Sequence, residues 1–336
     1  MLKIRRIRPR WQKVVIAFSY ILGITLSIWN YDIIIGFDLT DPKTILAAQI
    51  PSLAFMDELE GDAALGVPAE PPSEELKPVL ALDMHAESGN GYLEAGDAMI
   101  KNHTNLTPDI KALESKPLSI RIDNDGPQVL FVHTHASEAY TRTDSDWYDP
   151  SDPSRTQDMN YTVMHVCEEM AKVLEDMGIK TMQDRTVHDY PAYNGSYKSS
   201  LASVEEILKK YPSIKVVLDI HRDSMQRDDG TRLKNVIELN GEKVAQVMIV
   251  TGTNSMGLEH PNWQQNLAFA IKWQKQMNKD APRLTRAIDL REERFNTHTT
   301  TGTLLLEVGS TQTTLDEAVR GARLAAESLG NLLLRQ

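Results

Sequence analysis

From about residue 97 onward, near-continuous apolar runs alternate with segments of helical periodicity, and this alternation most constrains the fold. "QVLFVHTH", "IKTMQD", "IKVVLDIHRD" and "TGTLLLEVGS" read as strands. "MNYTVMHVCEEMAKVLEDMG" carries Val163, Val166, Cys167, Met170 and Leu174 on one helical stripe and closes at Gly178. "SYKSSLASVEEILKKYP" reads as a helix stopped by Pro212, "NWQQNLAFAIKWQKQMNK" as a second, and "TLDEAVRGARLAAESLGNLLL" as the closing one. "NVIELNG" and "EKVAQVMIVTG" read as a hairpin around Asn240 and Gly241. Strands that are apolar along their whole length are buried on both faces, which requires helices on both sides. The expected fold is therefore α/β, a three-layer sandwich with a mostly parallel twisted sheet flanked by helices. Functional groups in such folds gather at the carboxyl ends of the strands.

Three of the apolar runs end in groups able to bind metal or move protons. The first ends in His133, His135 and Glu138, the second in Asp219, His221 and Asp223, and the third in Glu307. Two histidines and a carboxylate suit a catalytic zinc, with a further carboxylate as general base. Taken singly, each histidine reads equally well as a hydrogen-bonded strand-end residue, and only the joint pattern points to hydrolysis. Strand alternation places His133 and His135 on one side if the strand stays regular. His133 is favoured for the metal because it ends the apolar run, which leaves His135 either to support the ligands from behind or to face substrate. Asp219, two residues before His221, is placed to orient its imidazole. Glu307 follows "TGTLLL", where an unpaired carboxylate is costly, and its alternative role is a salt bridge to Arg155 or Arg222. His165 and His188 have no partners in sequence that suggest ligation, and Cys167 reads as a small core residue.

The amino terminus has a different texture. Residues 1–13 hold six basic side chains and no acid; removing those six charges from a net −11 leaves about −17 for the remainder. That balance argues against nucleic-acid binding. The basic flank leads into "VVIAFSYILGITLSIW" and, after Asn30 and Asp32, three isoleucines. The length suits a spanning helix over 14–36, with the basic residues 1–13 cytoplasmic and the rest of the chain extracytoplasmic. No clear small-residue cleavage pair follows, so a retained single-pass membrane anchor is expected. Residues 37–96, with "LEGDAALGVPAEPPSEELKP", read as an extracytoplasmic linker, and 97–336 as the catalytic domain. The single cysteine excludes an intramolecular disulfide.

"VLFVHTHASEAY", "VLDIHRDS" and "LLLEVGSTQTTLDEA", with "NWQQNLAFA" between them, resemble the stage II sporulation protein P family of zinc-dependent N-acetylmuramoyl-L-alanine amidases. The resemblance runs over roughly residues 97–334 and also fits the anchor-plus-linker layout. It implies a peptidoglycan hydrolase that cleaves the bond between muramic acid and the L-alanine of the stem peptide during engulfment. It further implies endopeptidase cleavage of cross-links and a lytic transglycosylase partner, stage II sporulation protein D. Carried over by motif, His133 and His221 are metal ligands, Glu138 is the third, and Glu307 is the catalytic carboxylate. Amidases of the wider group draw their carboxylate ligand from the helix after the first strand. Here that region reads "SRTQDMNYTV", with Asp158 its only acid, so Asp158 and His135 stand as alternatives to Glu138. The family's "YNQ" before the last strand appears as "FNT", Phe295 to Thr297, at the expected substrate rim. Two other readings fit the residues: a metal-dependent peptidase or deacetylase, and a non-catalytic wall-binding scaffold.

Overall fold

The computed structural model describes residues 75–335, apart from Asn90 and Asn124. The expected basic flank, the anchor over 14–36 and the linker up to residue 74 lie outside the described residues. Among the described residues, no helix is long and apolar enough to cross a membrane.

In chain order the elements are β1 (Lys77–Leu82), β2 (Leu93–Ala95), β3 (Ala98–Asn102), α1 (Ile110–Ser115), β4 (Val129–Val132), β5 (Trp147–Tyr148), α2 (Val163–Asp176), β6 (Thr181–Gln183), α3 (Ser196–Lys210), β7 (Val216–Asp223), β8 (Arg232–Leu239), β9 (Glu242–Ala245), β10 (Val247–Gly252), α4 (Trp263–Asp280), β11 (Ile288–Arg291), β12 (Thr303–Ser310) and α5 (Leu315–Leu334). Eight strands form the main sheet in the order β2-β3-β11-β10-β12-β7-β4-β6. Strands β12, β7, β4 and β6 run parallel to one another. Strand β10 runs antiparallel to β12, while β11 and β3 follow the direction of β10 and β2 turns back on β3.

Alternation along the central strands separates the two faces. Phe131, Leu218, Ile220 and Leu306 meet Val166, Met170 and Leu174 of α2, Phe269 and Trp273 of α4, and Ala322 and Leu329 of α5 in the principal core. On the opposite face, Leu130, Val132 and Val217 pack against Val204 of α3. This is the expected three-layer sandwich with a mostly parallel sheet.

A second, four-stranded sheet, β5-β1-β8-β9, was not legible in the sequence. Strands β1 and β2 fall inside the expected linker. The apolar residues of "PVLAL" have a place to pack: Leu80 and Leu82 cluster with Met225 and Leu233, and β1 pairs with β8 in parallel. The expected hairpin forms between β8 and β9, turning on Asn240 and Gly241 at φ 56° and 82°. The apolar run after it then divides at Gln246. This side chain is fully buried, and it accepts from the Met84 N–H and donates to Asp83 and the Arg283 carbonyl. Beyond it, β10 enters the main sheet.

Candidate functional site

Strands β7 and β12 are adjacent and parallel, with His221 opposite Glu307 in register. The apolar half of each strand points into the principal core. The other half runs Val217, Asp219, His221 and Asp223 on β7, and Leu305 then Glu307 on β12. Each strand thus looks uniformly apolar until its carboxyl end, where one of its two faces becomes ionisable.

Strand β4 ends at Val132, and this is where structure and sequence expectation part. His133 continues the alternation of Val129 and Phe131 and therefore enters the α2 side. Its Nδ1 lies 3.6 Å from Cys167 Sγ, and its Nε2 accepts from the Gln183 amide at 2.8 Å. That amide also donates to the Met164 carbonyl at 3.1 Å. Burial pushes the His133 imidazole down to about 4, so it is a neutral core group. The structure does not bring His133 together with His221, Glu138 and Glu307.

The chain turns over residues 134–137. Thr134 anchors the turn: its N–H donates to Asp219 Oδ1 at 2.9 Å and its hydroxyl to Oδ2 at 2.6 Å. The turn carries His135 across to His221, with ring centroids 5.3 Å apart and nearly perpendicular. The Glu138 N–H donates to the His135 carbonyl, which sets the carboxylate beside His221. Glu138 Oε2 lies 3.4 Å from His221 Nδ1 and accepts from the Arg222 N–H at 3.1 Å. Arg155 reaches Glu138 Oε1 at 3.4 Å. Both arginines considered as partners for Glu307 are thus engaged around Glu138.

His221 stands between two carboxylates. Its Nε2 is 3.0 Å from Asp219 Oδ1, a charge contact too poorly aligned for a hydrogen bond. Burial pushes the imidazole down, but Asp219 and Glu138 more than offset this and hold it well above the usual range. Burial likewise raises Glu138, yet His221 and Arg222 bring it well below the usual carboxylate range. Glu307 is pushed well above its ordinary value, first by burial and then by Asp223. His135 is lowered to about 4, chiefly by burial.

As the side chains stand, no three His, Cys, Asp or Glu groups among the described residues close into a metal cluster. The donor set nonetheless fits zinc. Both ring nitrogens of His135 and Oε2 of Glu307 are buried without a hydrogen-bond partner. Buried polar atoms are rarely left so. His135, His221 and Glu138 form the two-histidine, one-carboxylate set that zinc prefers.

The remaining candidates are elsewhere. Asp158 accepts from the Asn160 N–H and caps a short 3-10 turn over Met159–Tyr161. His165 pairs with Glu168 on the half-exposed side of α2, and His188 bridges Asp184 and Ser199. Cys167 is a buried free thiol. Two residues not anticipated are Tyr193, stacked on His135 at 4.3 Å, and Tyr197, parallel to the His221 ring at 6.4 Å. Their signal was an aromatic pair four residues apart astride Gly195, following a strand that ends at the same sheet edge.

A family model described as stage II sporulation protein P matches residues 40–330. The stage II sporulation protein P of Bacillus subtilis (strain 168) is 25% identical over 308 residues, 87% of this chain and 70% of that protein. Among solved structures, the N-acetylmuramoyl-L-alanine amidase AmiC2 of Nostoc punctiforme is 12% identical with a TM-score of 0.37, covering 64% of this chain and 97% of that one. The CwlD amidase of Clostridioides difficile, solved with the GerS lipoprotein, is 8% identical with a TM-score of 0.41, covering 62% and 100%.

Proposed function

This chain belongs to the stage II sporulation protein P family, and from that premise we propose that it is a zinc-dependent peptidoglycan hydrolase cleaving the N-acetylmuramoyl-L-alanine amide bond. The observation that carries the reading is the convergence of His135 and Glu138, just beyond β4, with His221 and Glu307, in the carboxyl-terminal halves of β7 and β12. In the metal-holding role His135 replaces His133, which is committed to Cys167 and Gln183.

When bound, zinc supplies a Lewis acid for the scissile carbonyl and a water of lowered pKa. The protein's own groups do the rest. His135, His221 and Glu138 would hold the metal, and Asp219 would fix the His221 ring from its far side. Arg222 is itself pinned to the Ala139 and Ser154 carbonyls and to Thr311, so its N–H steadies Glu138. Glu307 takes the proton of the attacking water at its unpartnered Oε2 and returns it to the departing amine of L-alanine.

The reading extends, on family grounds alone, to a single-pass membrane anchor over 14–36, extracytoplasmic action and the transglycosylase partner, stage II sporulation protein D. The deciding experiment is mass spectrometry of muropeptides from sacculi digested with the full-length chain, with and without a chelator. Free stem peptides beginning at L-alanine, lost on chelation and restored by zinc, are expected. Cut cross-links with every stem peptide still on its glycan would instead identify an endopeptidase.

A further inference from the structure

The four groups proposed for hydrolysis are closed off from solvent: His135 and Glu307 are 2% exposed, His221 3% and Glu138 5%. A glycan-linked peptide cannot reach them without movement of whatever lies above. That element is the start of α3. Tyr193 stacks on His135 at 4.3 Å and 7°, while Tyr197 lies edge-on to His135 at 5.6 Å and parallel to His221. Arg155 lies over the Tyr193 ring at 4.7 Å.

The helix supplies only part of what holds this turn. Gly195 at its N-cap has φ 95° and offers no side-chain cap, while the Ser196 N–H and hydroxyl both donate to the Tyr193 carbonyl. The hold from outside the helix and its own turn comes from Asn296, in the "FNT" segment before β12. Its amide donates to the Tyr197 carbonyl and to Ser200 Oγ, each at 2.9 Å. Ser200 Oγ lies 2.8 Å from Thr134 Oγ1, which donates to Asp219 Oδ2. Asp219 in turn contacts His221.

The direction of these bonds is fixed at both ends. An ionised carboxylate only accepts, so Thr134 donates to Asp219 and accepts from Ser200, whose hydroxyl is shared with the Tyr197 carbonyl at 3.3 Å. Ser200 then accepts from Asn296, whose nitrogen only donates. One directed chain therefore joins the aromatic cover to the histidine beneath it.

We propose that the start of α3 is a cover that opens to admit substrate, and that Asn296 is its latch, a positioning residue acting through Ser200, Thr134 and Asp219 on His221. The inference rests on the hydrolase reading for why the cover opens, but the latch itself can be measured without substrate.

Hydrogen exchange of the full-length chain tests it, comparing Asn296→Asp, Asn296→Ala and Tyr197→Phe with wild type. Aspartate has the shape of asparagine but cannot donate, so both Asn296 variants are expected to speed exchange across residues 193–200 by about tenfold or more. Amides of β7 and β12 should keep their protection. Tyr197→Phe keeps the ring and loses only a hydroxyl that has no partner, so it should exchange like wild type. With a solubilised muropeptide substrate, the Asn296 variants should lower KM, because the cover opens more easily, and also lower kcat, because His221 is less well held. Unchanged exchange over 193–200 in both Asn296 variants, or equal loosening of β7 and β12, overturns the latch. A chain that hydrolyses nothing yet shows the exchange pattern retains the latch and overturns the hydrolase reading instead.

Discussion

His221 and Glu307 are register partners on the neighbouring parallel strands β7 and β12, and both leave the sheet on the side covered by α3. The pairing sets a group held above its usual pKa range by flanking carboxylates against a carboxylic acid raised by burial. Neither shift would survive on an exposed loop, where water screens such partners. The sheet register thus sets a proposed metal ligand directly beside the proposed proton acceptor, with both withdrawn from water.

Replacing Glu307 with Gln keeps the shape and removes the proton acceptor. Hydrolysis measured by muropeptide release should fall by roughly 10²–10⁴-fold, the usual worth of a positioned acid–base group. The thermal midpoint should not fall, because an ionisable group is being removed from a buried site rather than a packed apolar one. Activity within threefold of wild type would remove Glu307 from the mechanism.

His133 and His135 should separate cleanly. His133→Ala leaves a cavity beside Cys167 and removes one of the two acceptors of the Gln183 amide, so it should cost about 2–4 kcal/mol in urea unfolding while zinc binds at unchanged stoichiometry. His135→Ala removes a group with no hydrogen bond of its own, so it should abolish stoichiometric zinc with a smaller loss of stability. The reverse outcome in metal analysis would return the ligand role to His133.

How far this site was legible depended on where the regular strands stop. Asp219, His221 and Glu307 lie inside strands, where a period of two assigns faces directly. His133 has the parity of Val129 and Phe131, and Phe131 pairs with Leu218 of the principal core. Continued alternation therefore sends it to α2, but that argument needs the register between β4 and β7, which one sequence does not contain. His135 arrives by a turn rather than by alternation. The three layers were legible because long apolar runs leave few alternatives. The second sheet was not, since β5 is two residues long and β1 lies in a stretch whose neighbours are rich in Pro, Glu and Ala.

Gly321→Ala tests the packing of α5 against the second sheet. Within an exposed helix, Gly to Ala stabilises by up to ~1 kcal/mol. Here a Cβ would run into the Ala245 carbonyl oxygen of β9, and backbone cannot rotate aside. The sign should reverse, with a loss of about 1–3 kcal/mol from overpacking, read by denaturant melts. A stabilised variant would mean that α5 and β9 are further apart than described.

Asp289 carries the clearest pH dependence away from the site. It is fully buried on β11, with the Arg291 guanidinium at 3.7 Å, the His103 ring at 3.4 Å and no hydrogen bond to either oxygen. Burial raises its pKa from 3.8 to about 7, with Arg291 opposing. Between those values the folded chain keeps a proton that the unfolded chain has released. Stability therefore falls as pH rises across that window and levels off above it. Asn cannot titrate, so in Asp289→Asn that component of the slope disappears. The stability of the variant relative to wild type should rise steadily from pH 4.5 to pH 7, by on the order of a few kcal/mol at most, and stay constant to pH 8.5. Urea midpoints at five pH values suffice, because titrations elsewhere cancel in the difference. A difference independent of pH would mean that Asp289 is ionised in the folded protein throughout and that Arg291 outweighs the burial.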